Sequence, residues 1–166
     1  QFATRVASAG DVNGDGYAEV IVGSPLIDVD GIQTGRADLF YGNGGIGLSV
    51  APMQRRADTG ASVAPLGLSG VADRIVLEAT GRMPTGRGLV KLQWEMKPLG
   101  TLFDGTKLGE SADWYDTGLD GVRISEVVTG LQAGTCYHWR VRFLYQTNVL
   151  GQTASRWRSS TRAKPH

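Results

Sequence analysis

Apolar and polar residues alternate in short stretches along the chain, and period-two alternation predicts half-buried β-strands. The cleanest stretch is Cys136–Tyr145. Tyr137, Trp139, Val141, Phe143 and Tyr145 share one face of it, and His138, Arg140, Arg142 and Leu144 share the other. Arg74–Thr80 alternates through Ile75, Leu77 and Ala79, and Leu89–Lys97 through Leu92 and Trp94. Trp114–Asp116, Val122–Val128 and Thr153–Thr161 complete a rhythm of short strands from about residue 70, the spacing of a β-sandwich. Nearer the start, Phe2–Ser8, Tyr17–Val22 and Arg36–Tyr41 read as strands. Gly23-Ser24-Pro25, Asp28–Gly35 and Gly42–Gly47 read as breaks between or after them. Leu48–Ser62 shows no clean period and reads as a connection.

This pattern gives an all-β fold with three parts. They are a β-segment at 1–50, a linker at 51–69 and a β-sandwich at 70–166. Glycine supports it, with 24 of 166 residues, a share that suits many turns.

Composition excludes several classes of function. The formal net charge of +1 supplies no global field for nucleic acid or anionic membrane. Apolar runs fall far short of the ~20 residues a membrane-spanning helix needs. A single Cys allows no intramolecular disulfide and no cysteine zinc site. Two His argue against a His-rich metal or triad site. Charge is nonetheless uneven: residues 1–50 hold two Arg against six acids, a balance of −4, and the remainder carries +5. Two modules with different surfaces account for this, as does attraction between acidic and basic ends of neighbouring subunits.

The densest chemistry lies in Asp11-Val12-Asn13-Gly14-Asp15-Gly16-Tyr17-Ala18-Glu19. Side-chain oxygens stand at relative positions 1, 3, 5 and 9, Gly16 permits a sharp turn, and Tyr17 offers its carbonyl. Ca²⁺ takes six to eight oxygens, and a tight loop of this kind collects them. An EF-hand would need a Glu at position 12, which is Val22, and flanking helices where strands are predicted. An Asx-rich turn without an ion is the alternative. Carboxylates this close repel one another without a cation, so Ca²⁺ is the expected cofactor. The expected ligands are Asp11, Asn13, Asp15, Tyr17 and Glu19. Asp28-Val29-Asp30-Gly31 has fewer spaced oxygens and reads as a solvated loop.

With these residues goes a family resemblance. Phe2-Ala3, Gly10–Gly16, Ile21-Val22-Gly23-Ser24-Pro25 and Gly35–Gly42 together resemble an FG-GAP repeat, the blade of integrin-α-type propellers. The resemblance covers about residues 1–48 and implies a Ca²⁺-binding loop in an extracellular or surface protein. Where the family has FG, GAP and a final Asp, this chain has Phe2-Ala3, Gly23-Ser24-Pro25 and Glu19. Propellers have typically four to eight blades, and a lone repeat cannot bury its own faces. The chain opens on Gln1 rather than Met. The expectation is therefore the end of a longer propeller, or partner chains covering the blade.

Gly130–Arg142 resembles the E–F corner and F strand of a fibronectin type III domain, with Tyr137 as the tyrosine corner. Trp94 fits the core Trp of an early strand in that scheme. The pairing is similar to the ends of large secreted bacterial FG-GAP repeat proteins. Arg140, Arg142, Arg156 and Arg158 flank Trp157, which resembles the Trp/Arg ladder of some receptor fibronectin modules. A basic patch for glycan or nucleic acid is the alternative, and nucleic acid would call for more net charge. Cys136 reads as a small, partly buried thiol.

No catalytic set emerges. Asp113, Asp116 and Asp120 read as turn acids rather than a glycosidase pair. Gly42–Gly47 lacks the Lys-Ser/Thr and the helix of a phosphate loop. The sequence thus predicts a non-enzymatic, calcium-stiffened extracellular protein that self-associates or joins other protein subunits in a surface assembly or filament. Strand addition would build it. A glycan- or protein-binding adhesin module and an accessory end of a larger secreted protein are the alternatives.

Overall fold

The computed structural model describes residues 5–13, 16–25, 28–29, 32–42, 51–149 and 152–159. The fold is all-β, with antiparallel pairing throughout and no helix among the described residues.

The first sheet has the order β1-β2-β5, from β1 (Arg5–Gly10), β2 (Glu19–Ser24) and β5 (Arg36–Phe40). Between β2 and β5 a short hairpin pairs β3 (Asp28–Val29) with β4 (Ile32–Gln33), within a stretch the sequence reads as loop. Strand β2 runs through Gly23 and Ser24, which the sequence reads as a break. Gly23 pairs with both Arg5 and Ala37, so the ladder ends only at Pro25, which has no N–H to give. This sheet buries little. Val6 is 66% and Phe40 51% exposed, and Val20, Ile21 and Leu39 also face solvent.

The remainder forms two sheets around one core. β6 (Met53–Arg55), β7 (Arg74–Gly81) and β11 (Val122–Thr129) have the order β11-β7-β6. The facing sheet has the order β10-β8-β12-β13, with β9 also on β8. Its strands are β8 (Leu89–Pro98), β9 (Gly109–Glu110), β10 (Tyr115–Asp116), β12 (Tyr137–Val149) and β13 (Gln152–Ala154). Ile75, Leu77, Ile124 and Val128 from one sheet meet Val90, Leu92, Trp139, Val141, Phe143 and Tyr145 from the other. The alternation read along Cys136–Tyr145 is the inward row of β12. Trp94 packs only partly buried against this core, and the deeply buried Trp is Trp139.

The stretch 51–69, read as a linker, carries β6 as an edge strand of the sandwich. Three residues are too few to show a period, so the strand leaves no alternation to read. It is tied down by side chains instead. Trp139 Nε1 donates to Gln54 Oε1 at 2.6 Å, and Gln54 Nε2 donates to the Ala64 carbonyl at 2.7 Å. Arg55 forms a two-pronged pair with Glu78, both contacts at 3.0 Å.

Polar groups also organise the outer face of the β8–β12 sheet. Glu95 is fully buried, and its Oε1 accepts from the Asp104 and Gly105 N–H groups at 2.9 and 3.0 Å. Its Oε2 takes Arg140 Nε and Nη2 at 2.9 and 2.6 Å. Lys97 Nζ stands 3.7 Å away and binds Asp104 at 2.8 Å. Gly105 has φ +76°, which lets the 104–106 turn aim two N–H groups at one carboxylate.

Candidate functional site

Strand β1 ends at Gly10 and β2 begins at Glu19, and these two residues face each other across the hairpin after a register shift. The hairpin mouth therefore brings Asp11 and Glu19 together. Asp11 is 1% exposed and Glu19 0%. Gly16 N–H donates to Asp11 Oδ2 at 3.1 Å, with Gly16 at φ +88°. Val12 N–H donates to Glu19 Oε2 in a very short bond. The other carboxylate oxygen, Glu19 Oε1, is buried with no hydrogen-bond partner among the described residues. Asn13 and Tyr17 are half-buried in the same loop, and Asp15 lies outside the described residues.

A buried carboxylate oxygen with no donor is costly unless a cation meets it. Glu19 Oε1, placed over a loop that also holds the buried Asp11 carboxylate, fits a hard cation. Asp11, Asn13, Glu19 and the Tyr17 carbonyl are the described groups available to hold one. Bound there, Ca²⁺ would supply the positive charge that the buried Asp11 and Glu19 carboxyl groups face.

The loop does not stand alone. Asp11 N–H donates to Gln152 Oε1 at 3.1 Å, across 141 residues of chain. The Arg82 guanidinium lies 5.5 Å from the centre of the Tyr17 ring. The Tyr145 hydroxyl is buried without a hydrogen-bond partner among the described residues. Burial, and then the negative charge of Asp11, push its pKa well above the usual phenol value. None of these partners is legible in the motif, because each comes from the sandwich.

Residues 2–31 match the FG-GAP repeat family. The match takes in the loop and both strands of its hairpin. FG-GAP repeats occur in extracellular, adhesion-type proteins. No curated protein and no solved structure matches the chain.

The second group of candidate residues lies on the outer face of the sandwich, away from the FG-GAP loop. Trp157 is held between Arg140 and Arg142, each guanidinium carbon 4.5 Å from the ring centre. Arg140 also lies 4.7 Å from the Phe103 ring, and Arg142 Nε donates to Gln93 Oε1 at 2.7 Å. Arg158 turns the other way and stands 5.7 Å from the Phe143 ring, while its backbone bridges to Val141. Arg156 is exposed and stacks on no ring among the described residues. The isolated bridge at Arg158 sets this parity: Trp157 points to the arginine face, and its neighbours point elsewhere. Replacing Trp157 by Ala should cost roughly 1–2 kcal/mol from two such contacts, read as a lower urea midpoint with an unchanged slope.

At the far end of β12 an open cavity of about 460 Å³ lies between the sheets. Leu66, Leu68, Ile75, Met96, Leu131 and Trp139 line it, with Cys136 on its wall. Cys136 is exposed, contrary to its reading as a partly buried thiol. The strand pattern gives no signal for this cavity, because it is closed by the irregular stretch 63–72. At the tyrosine-corner position, the Tyr137 hydroxyl accepts from Gln132 N–H at 3.1 Å. No helix is long and apolar enough to cross a membrane among the described residues.

Proposed function

We propose that this chain is a non-enzymatic extracellular structural or adhesive protein stiffened by Ca²⁺. The carrying observation is the buried Glu19 Oε1, without a hydrogen-bond partner among the described residues, at a hairpin mouth that also buries Asp11. Asp11, Asn13, Asp15, Glu19 and the Tyr17 carbonyl form the proposed ligand set. The sandwich acts as a fibronectin type III-like spacer; the Gln132–Tyr137 bond and the β11-β7-β6 and β10-β8-β12-β13 strand orders support that reading.

Assembly is the second element of the proposal. Among the described residues, β1 and β5 each pair only with β2, so the FG-GAP sheet has two open edges. Its faces expose Val6, Ile21, Leu39 and Phe40. Open edges with apolar faces invite pairing with another strand. The proposed role is a subunit of a surface assembly or filament, built by self-association or with other protein subunits. A second reading, a glycan- or protein-binding module, is supported by Trp114, which is exposed beneath Lys91 at 5.4 Å.

Calorimetry tests the calcium reading. Free Ca²⁺ at a hundredfold excess over its dissociation constant should add about 2.7 kcal/mol to the unfolding free energy. A chelator should remove that gain, and Asp11→Asn should show none. An unfolding curve of the wild-type chain that ignores both Ca²⁺ and chelator overturns the calcium reading. Electron microscopy tests assembly: ordered oligomers that loosen on chelation support it. Dispersed particles indifferent to chelator move the reading to a binding module.

A further inference from the structure

The FG-GAP loop is pressed against one end of the sandwich with no room for side chains. A Cβ added at Gly10 would lie 2.7 Å from Gln152 Oε1, and one added at Gly16 would lie 2.3 Å from Arg82 Cβ. Both glycines also have positive φ. The two glycines bracketing the oxygen-bearing turn are thus the points where its backbone meets the sandwich. Around them Gln152 holds the Asp11 N–H and Arg82 covers the Tyr17 ring. These contacts come from the start of β13 and the turn after β7. Asp11 and Tyr17 are also the first and fourth of the proposed ligands.

We propose that the sandwich is the other half of the cation site: Gln152 and Arg82 are positioning residues that preset the loop, and Ca²⁺ binding and docking of the two parts are one coupled event. This inference rests on the calcium reading. The physical reason is entropic. A loop on a free hairpin must fix its own backbone when it closes on a cation, at about 1–2 kcal/mol for each residue ordered. The Gln152 bond holds the Asp11 N–H, and Arg82 packs against Gly16 and the Tyr17 ring, before any ion arrives. Linkage makes the effect reciprocal: the factor by which docking raises Ca²⁺ affinity is the factor by which Ca²⁺ favours docking. An ion at the hairpin mouth thereby sets the angle between the FG-GAP sheet and the sandwich.

The test is titration calorimetry with CaCl₂ on the full chain, beside hydrogen exchange at the Arg82–Met83 amides. Gln152→Ala and Arg82→Ala should each weaken Ca²⁺ binding roughly 5- to 20-fold, within the usual range of coupling between sites. Stoichiometry should not change. Gln152→Glu keeps the acceptor oxygen and should restore affinity, which a general loss of structure would not allow. In the wild type, Ca²⁺ should slow exchange at Arg82–Met83, although neither residue is a ligand. Wild-type affinity in both alanine variants, or exchange at Arg82–Met83 indifferent to Ca²⁺, overturns the coupling and leaves the calcium reading standing. No binding heat in the wild type overturns both. Should an alanine variant fail to fold, the exchange measurement on the wild type decides alone.

Discussion

Glu95→Gln is expected to lower the stability of the chain by about 3–5 kcal/mol, the cost of breaking a buried ion pair from one side. Glu95 is completely buried and meets four donors. A neutral amide would leave Arg140 and Lys97 without their shared anion and would turn an NH₂ group toward N–H donors. With the NH₂ toward the 104–106 turn the turn loses its anchor, and with the NH₂ toward Arg140 the guanidinium faces a donor instead. For a chain of this size, 3 kcal/mol corresponds to a midpoint lower by roughly 6–12 °C in calorimetry.

The same substitution predicts a pH dependence. Burial works against the ionised form of Glu95, but the Arg140 bond and the two turn N–H groups outweigh it, so its pKa lies below the ordinary carboxylate value. Glu78 is lowered as well, chiefly by its bond to Arg55. A carboxylate with a depressed folded pKa gives stability that is full above its unfolded pKa, about 4.3 for Glu. That stability is lost as pH falls through the folded value. The gap between wild type and Glu95→Gln should therefore be constant near neutrality and narrow below about pH 4. A gap unchanged down to pH 2.5 would refute the ionised assignment.

Phe143→Ala is expected to cost about 3–5 kcal/mol, the usual range for a fully buried aromatic. Phe143 is the largest fully buried side chain among the described residues, at the middle of the inward row of β12. Its ring also fills the space beside Gly81, where an added Cβ would lie 2.8 Å away. The cavity left by Ala opens next to the Gly81–Arg82 corner on which the FG-GAP loop rests. The urea midpoint should fall, and if the proposed site binds Ca²⁺ its affinity should fall less than in Arg82→Ala. A loss below about 1 kcal/mol would show that the core collapses to fill the gap.

What the sequence discloses depends on whether an element's cause is local. The row Trp139, Val141, Phe143, Tyr145 declares β12 because burial on one face of a strand repeats every second residue. Asp11 through Glu19 declares an oxygen-rich turn because such turns are built from consecutive residues. Strand β6 is hidden because it is held by Gln54 reaching Trp139, a partner 85 residues away. Gln152 and Arg82 are hidden for the same reason, since nothing near them in sequence refers to Asp11. Parity misleads around Trp157: four arginines lie close in sequence, but only Arg140 and Arg142 stand two apart on the strand that the Trp ring crosses. Gly109 has a long-range cause too: a Cβ there would strike the Trp94 ring at 2.3 Å.

Strand β12 is paired with β8 without interruption from Tyr137↔Pro98 to Tyr145↔Val90. One end of β12 carries the Gln132–Tyr137 bond, and the other pairs with Gln152, which holds the Asp11 N–H. A pull applied between the FG-GAP sheet and the far end of the sandwich runs along the strands, not across them. The hydrogen bonds of the ladder are then loaded sideways and together, and must give way as a set rather than one after another like a zipper. The chain is built as a tension member, with the oxygen-rich loop at the coupling.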